Sequence, residues 1–234
     1  MRTILGAAGI ALSSVVALSG AAHAQAAVPE PRSTPAPAPR GVEIWTGRAM
    51  HSSRWGFLGD TPNVNLALLA VRWTTPIRVT SRSVLEYTVD VVPVALLSPP
   101  LPTRPGTQTV SGRCERTECV LFPLASAFPS GSAFGVGVSP LGVTWVFWPA
   151  ERIRPTVATT AGVLWADRRV PTTGAARVNF VATAEVGVRA ALNGRAELTA
   201  AYRFHHLSNA GLAPENSALA SHLVSVGIRL RRGH

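Results

Sequence analysis

The sequence predicts an all-β protein, an eight-stranded antiparallel up-and-down transmembrane β-barrel. Three observations carry that expectation. Hydrophobic residues make up 47% of the chain and charged residues only 15%, where about 25% charged is usual for soluble domains. Beyond the N-terminal leader no apolar run reaches the roughly 20 residues that a spanning helix requires. Segments of strict two-residue alternation recur down the chain, separated by connections that are alternately long and short. A chain this apolar that lacks a spanning helix can still cross a bilayer as a closed barrel, whose ladder satisfies every backbone group.

The N-terminus comes first. Arg2 is followed by the apolar "ILGAAGIALSSVVALSG", and Ala22-His23-Ala24 offers small residues at the two positions a signal peptidase reads. Residues 1–24 are therefore expected to be a cleaved signal peptide rather than a membrane anchor, and the mature chain to be exported. Residues 25–40 contain "VPEPRSTPAPAPR", a Pro-rich stretch that reads as a disordered linker. The barrel is expected over residues 41–232.

Alternation is clearest in "ARVNFVATAEVGVRAAL". Val178, Phe180, Ala182, Ala184, Val186 and Val188 share one face, and Arg177, Asn179, Thr183, Glu185 and Arg189 share the other. "VLEYTVDVVP" sets Leu85, Tyr87, Val89 and Val91 against Glu86, Thr88 and Asp90, and "RIRPTVATTAGVLW" repeats the pattern. "AFGVGVSPLGVTWVFW" changes phase around Ser139-Pro140, the mark of a bulge. "VEIWTGRAM", "NVNLALLAVRW", "AELTAAYRFHH" and "SHLVSVGIRL" complete the eight.

Long connections follow strands one, three, five and seven ("HSSRWGFLGDTP", about 98–132, "ADRRVPTTGA" and "SNAGLAPENSA"). Shorter ones follow strands two, four and six ("TTPIRVTSRS", "PAER" and "NGR"). Long outer loops and short periplasmic turns are the rhythm of an outer-membrane barrel. Trp45, Trp73 and Trp145 are expected at a turn-side aromatic girdle, and Trp165, Tyr202 and Phe204 at a loop-side one. Glu86, Asp90, Glu185, Glu197, Arg189, Arg203 and Arg229 are expected to neutralise one another in a lumen too narrow to conduct. The net charge of +10 suits an anionic surface such as lipopolysaccharide, and export excludes nucleic acid as a natural partner. Cys114 and Cys119, in "CERTEC", are an even pair expected to close a disulfide in a loop of an oxidising compartment. A metal would need further ligands, and neither a metal nor an organic cofactor is implied.

The candidate site is "YRFHHLSNAG". Leu198, Ala200, Tyr202 and Phe204 fix the outward parity of their strand, which His206 and Ser208 continue, while His205 falls on the lumen parity as a structural residue. Residues i and i+2 of a strand stand about 6.6 Å apart at Cα, a gap an imidazole and a hydroxymethyl can bridge. A serine beside a general base is the minimum for attack on an ester. Turn chemistry is the alternative reading, since Ser and Asn commonly follow a strand.

"HLSNAG" followed by Asn216 resembles the His-x-Ser-Asn-Ala motif of the PagL-type lipid A 3-O-deacylases, and "GVGVSPLGVTWVF" and "RIRPTVATTAGVLW" resemble the wider acyloxyacyl-hydrolase-like outer-membrane group. The resemblance covers residues 130 to 230. It implies Ser208 as nucleophile, His206 as general base, Asn209 and Asn216 as site support or oxyanion donors, and lipid A acyl chains as the partner of a monomeric enzyme. The pattern continues in the family as Asn-x-Gly and an acidic orienter. Here Ala218 replaces the glycine and Ala220 stands where the acid is expected, leaving Glu215 as the substitute and His222 as a further neighbour. The alternative is a noncatalytic barrel with a structural or surface-binding role.

Overall fold

The computed structural model describes residues 40–49, 52–53, 64–99, 112–115, 118–121 and 131–232, with backbone only at 53, 112–115 and 118–121. The proposed signal peptide and linker thus lie outside the described residues, apart from Arg40. The strands are β1 (Arg40–Ala49), β2 (Ser52–Ser53), β3 (Asn65–Val79), β4 (Ser83–Ser98), β5 (Gly112–Glu115), β6 (Glu118–Leu121), β7 (Ala133–Phe147), β8 (Ile153–Ala166), β9 (Val178–Ala191), β10 (Ala196–Ser208) and β11 (Ala218–Arg232). Eight of them, β1, β3, β4 and β7 to β11, pair antiparallel in chain order. The ring closes where Arg40 to Arg48 of β1 pair with Arg232 to Val224 of β11. Closure leaves none of these eight strands with an open edge to seek a partner. Short β2 prolongs the seam against Ala220 and Ser221, and β5 and β6 form a separate two-stranded hairpin in the β4–β7 connection.

The alternation places apolar side chains outside. Trp73, Trp145, Trp165, Val186, Tyr202 and Val224 are each about half exposed or more, whereas Arg72, Glu86, Asp90, Glu185, Glu197 and Arg229 are buried in the lumen. This inverts the usual soluble arrangement and suits a hydrocarbon solvent. Register shifts keep the pattern aligned, one of them between Pro76 and Arg78 of β3. Others fall between Val138 and Leu141, at the expected Ser139-Pro140 bulge, and between Val92 and Ala95. The last of these sits at Pro93, which has no N–H for the ladder.

The short turns cluster at one end and the long loops at the other. The expected connection "TTPIRVTSRS" proves to be mostly strand: β3 runs to Val79 and only Thr80 to Arg82 turn, closed by the Ser83 N–H donating to Thr80 Oγ1 at 2.9 Å. At the β9–β10 turn Asn193 Oδ1 accepts from the N–H groups of Arg195 and Ala196 at 2.9 and 2.7 Å. Side-chain acceptors of this kind shape turns of minimal length.

The lumen is layered. Toward the loop end it is filled by Leu66, Leu68, Leu97, Leu164, Leu207 and Leu219, packed as one apolar cluster. Toward the turns it holds an ionic network. Arg72 grips Asp90 through two bonds of 2.7 and 2.9 Å and reaches Glu185 at 2.9 Å, which Arg203 also contacts at 2.7 Å. Below it, Glu86 joins Arg189 and Arg229, and Glu197 joins Arg229 and Arg154. Among the described residues, five buried acids (Glu43, Glu86, Asp90, Glu185, Glu197) meet five buried arginines (Arg72, Arg154, Arg189, Arg203, Arg229), and a sixth, half-buried arginine, Arg231, joins Glu197 at the turn end. The mutual neutralisation expected from the sequence is present, with Arg72, Arg154 and Glu43 as members that reading did not name.

One aromatic assignment is corrected. Trp45 is only 4% exposed and points into the barrel, not to the turn-side girdle. It shares the inward parity of Glu43 and lies under the Arg203 guanidinium, 3.8 Å from ring centroid to Cζ. The cation–π contact gives a buried arginine a second favourable face.

Candidate active site

β10 carries the candidate residues to the rim of the barrel. His206 pairs across the ladders with Ala182 of β9 and Ala220 of β11, and Ser208 pairs with Phe180 and Ala218. Directly opposed side chains have Cβ atoms about 4.5–5.5 Å apart, so the imidazole stands between two methyl groups. Its diagonal neighbours on the same face are Phe180 of β9 and His222 of β11. His206 and Ser208 are both half-buried on the outward face, while His205 is buried on the lumen side against its ladder partner Ser221.

Past Ser208 the chain turns sharply. Ala210 and Gly211 take positive φ values of 49° and 84°, and Asn209 makes the turn hold. Its Oδ1 accepts from the Gly211 N–H at 2.9 Å, and its Nδ2 donates across the loop to the Glu215 carbonyl at 2.6 Å. Asn209 is fully buried. Both ends of its amide are committed to the loop, which makes it the clamp that fixes the chain after Ser208. Gly211 adopts the left-handed conformation freely, whereas Ala210 holds it against the steric cost of its Cβ; the run Asn-Ala-Gly is legible as turn chemistry too.

Glu215 reaches the neighbouring loop. Its Oε2 accepts from the Thr172 hydroxyl at 3.0 Å, and its carboxylate packs so closely on Gly174 that a Cβ added there would fall 2.2 Å from Glu215 Cδ. The carboxylate thus ties the β10–β11 loop to the β8–β9 loop. Thr172 and Gly174 were not singled out in the sequence, because contacts between loops distant along the chain leave no periodic signal. Asn216 is exposed at the rim.

β11 begins at Ala218 instead of Ser221, so "ALA" belongs to the ladder. This makes Ala220 the direct ladder partner of His206. Although its parity is outward, Ala220 is fully buried, as is nearly the case for Ala218. Two residues on, His222 faces Phe204 with ring centroids 5.4 Å apart, and the Tyr202 hydroxyl and His222 Nδ1 share a hydrogen bond. His222 thus belongs to an aromatic cluster on the same outward face, one row below His206. The expected Cys114 and Cys119 are ladder partners in the β5–β6 hairpin, and their side chains lie outside the described residues.

No curated protein matches the sequence. Among solved structures, the outer membrane enzyme PagL aligns over 79% of this chain and 97% of its own, at 14% identity and a TM-score of 0.54. Neisserial surface protein A aligns over 82% of this chain and 97% of its own at 13% identity and a TM-score of 0.45. OprG from Pseudomonas aeruginosa aligns over 85% and 98% at 8% identity and a TM-score of 0.45. The first of these likenesses establishes the fold, a closed eight-stranded barrel of the outer-membrane kind. The sequence adds to it: residues 117–229, a stretch that contains "YRFHHLSNAGL", match the family described as lipid A 3-O-deacylase (PagL).

Proposed function

We propose that this chain is an exported outer-membrane hydrolase that removes a fatty acyl group from lipid A, with Ser208 as nucleophile and His206 as general base. In this reading residues 1–24 are the cleaved signal, 25–40 a linker and 41–232 the membrane barrel. The observation that carries it is positional: His206 and Ser208 stand two residues apart on the outward face at the loop end of β10, His206 between Ala182 and Ala220 and Ser208 between Phe180 and Ala218. An acyl ester at the membrane surface can approach them there while its chain stays in hydrocarbon.

Ser208 Oγ attacks the ester carbonyl carbon as His206 accepts the hydroxyl proton. The tetrahedral oxyanion collapses, the sugar oxygen leaves with the proton from His206, and water then releases the fatty acid from the acyl-serine by the same two steps. Oxyanion stabilisation falls to exposed Asn216, since the side-chain amide of Asn209 is occupied in the loop; one such donor is worth about 10²–10³ in rate. Glu215 acts in this scheme by holding the loop over the site through Thr172.

A second reading, a noncatalytic barrel, is favoured by one specific residue: Ala220, in register with His206, supplies no carboxylate to orient the imidazole. Mass spectrometry of lipid A from cells expressing the protein separates the two. The wild type is expected to yield lipid A lighter by one acyl group, and Ser208→Ala and His206→Asn to yield unaltered lipid A while keeping the heat-modifiable gel band of a folded barrel. Full-length lipid A from cells that carry folded wild-type protein would leave the noncatalytic reading standing.

A further inference from the structure

The loops after β8 and β10, residues 167–177 and 209–217, enclose an open cleft of about 430 Å³. Arg169 and Arg177 line one side, and Leu212, Ala213 and Pro214 the other. One wall is cationic and the other apolar, with Leu212 62% exposed.

Among the described residues the charge of this cleft is uncompensated. Both arginines are exposed, and Arg169 Nη1 donates only weakly, to the Thr173 carbonyl at 3.4 Å. Each of the two loops contains one acid, and both acids are engaged elsewhere. Asp167 accepts from the Phe134 N–H at 3.0 Å and lies 3.4 Å from Arg168. Glu215 is taken by Thr172 and does not line the cleft. Among the described residues, no carboxylate pairs with Arg169 or Arg177.

Two guanidiniums facing an apolar lip form a receptor for an anionic amphiphile. Their planar forks match the oxygens of a phosphate monoester, whose double charge makes such bonds stronger than neutral ones. The cleft also lies at the right remove from the proposed nucleophile. Arg177 precedes Phe180, the ladder partner of Ser208, by three residues, about 10 Å of extended chain. That is roughly the span of the sugar unit separating a phosphate from an ester on one glycolipid.

We propose that the cleft between these loops binds the phosphate monoester of the lipid headgroup and thereby selects which ester is presented to Ser208. This inference rests on the hydrolase reading of the site, and its test keeps the two apart. Hydrolysis by the purified protein in detergent is measured with lipid A carrying its phosphates and with enzymatically dephosphorylated lipid A. Wild-type kcat/KM is expected to be about 10-fold higher for the phosphorylated lipid, through KM, a size consistent with exposed, solvent-screened ion pairs at two positions. In Arg169→Gln/Arg177→Gln the ratio is expected to fall to about 1, and in Arg169→Lys/Arg177→Lys to recover in part. In parallel, Ser208→Ala protein is titrated with both lipids, with and without the two glutamines, so that binding is read without turnover. Discrimination in binding that the glutamines erase supports the cleft even if the wild type hydrolyses neither lipid, in which case only the hydrolase reading falls. Hydrolysis or binding that ignores the phosphates, or a ratio unchanged in the double glutamine variant, overturns the proposal. Inorganic phosphate at millimolar concentration distinguishes the source of the anion: full displacement of the lipid would mark a free-phosphate site and also overturn it.

Discussion

At the scale of single residues, the position opposite His206 governs how the imidazole is held. A serine-histidine pair without a carboxylate loses control of the imidazole tautomer, which costs about 10⁴ in turnover where an aspartate is replaced by its amide. Ala220 occupies the ladder position that could supply that carboxylate, and it is fully buried. Ala220→Asp introduces the shortest acid there. Its deacylation rate is expected to rise by about 10-fold or more over wild type, with Ala220→Asn giving no gain; initial rates on purified lipid A decide it. Glu215→Gln is the companion measurement. If Glu215 works by bridging to Thr172, the neutral amide preserves the loop and most of the rate. The sequence showed these residues but not their roles. The outward parity of His206 and Ser208 was legible because alternation is local. The engagement of Glu215 with Thr172 joins positions 43 residues apart and was not legible.

Among the elements, the strands were the readable part, for a physical reason. Each stave separates hydrocarbon from a polar lumen, so the alternation of side chains records both environments directly. Where the pattern breaks, proline marks the place: Pro140 was visible as a bulge, and Pro93 marks a second that the shorter alternating run concealed. Trp45 was misplaced because a strand tryptophan reads as an interfacial anchor, and only the three-dimensional contacts show that it faces Arg203. The β5–β6 hairpin had no alternation to announce it. Its register sets Cys114 opposite Cys119, and directly opposed residues of an antiparallel pair have Cα atoms about 4.5 or 5.5 Å apart, within the range a disulfide spans. The pair is therefore expected to be oxidised in exported protein. Thiol labelling of denatured, unreduced material should find no reactive cysteine, and two labelled thiols would mean an open hairpin.

For the whole molecule, the decisive feature is a lumen filled by paired charges and closed by an apolar layer at its loop end. A barrel so filled is a stopper, consistent with a machine that works on its outer surface. Glu197 has a central place in the network: it is fully buried, and Arg154, Arg229 and Arg231 contact its carboxylate at 2.7, 3.0 and 3.1 Å. Glu197→Gln keeps the shape and removes the charge that three guanidiniums share. Breaking a buried ion pair from one side costs about 3–5 kcal/mol, and the variant is expected to lose that much against urea in vesicles, read from the heat-modifiable band. An unchanged midpoint would show that water, not Glu197, compensates those arginines.

The ion pairs of the lumen also constrain how the barrel can be built. They run across the bore as well as along the ladders, Arg72 of β3 to Glu185 of β9 and Arg229 of β11 to Glu86 of β4, and the Thr199 hydroxyl of β10 donates to Glu43 of β1 beside them. A sheet growing hairpin by hairpin brings none of these partners together until it curls. Until then it presents bare charges on one face and hydrocarbon-seeking side chains on the other, and neither a bilayer nor water accepts both. The seam between β1 and β11 is thus the step at which the lumen charges meet and the molecule becomes soluble in lipid, so that joining the ends and crossing the membrane are one event. A chain lacking residues 218–232 is expected to adhere to vesicles yet remain open to added protease, whereas the intact chain becomes resistant as its seam forms.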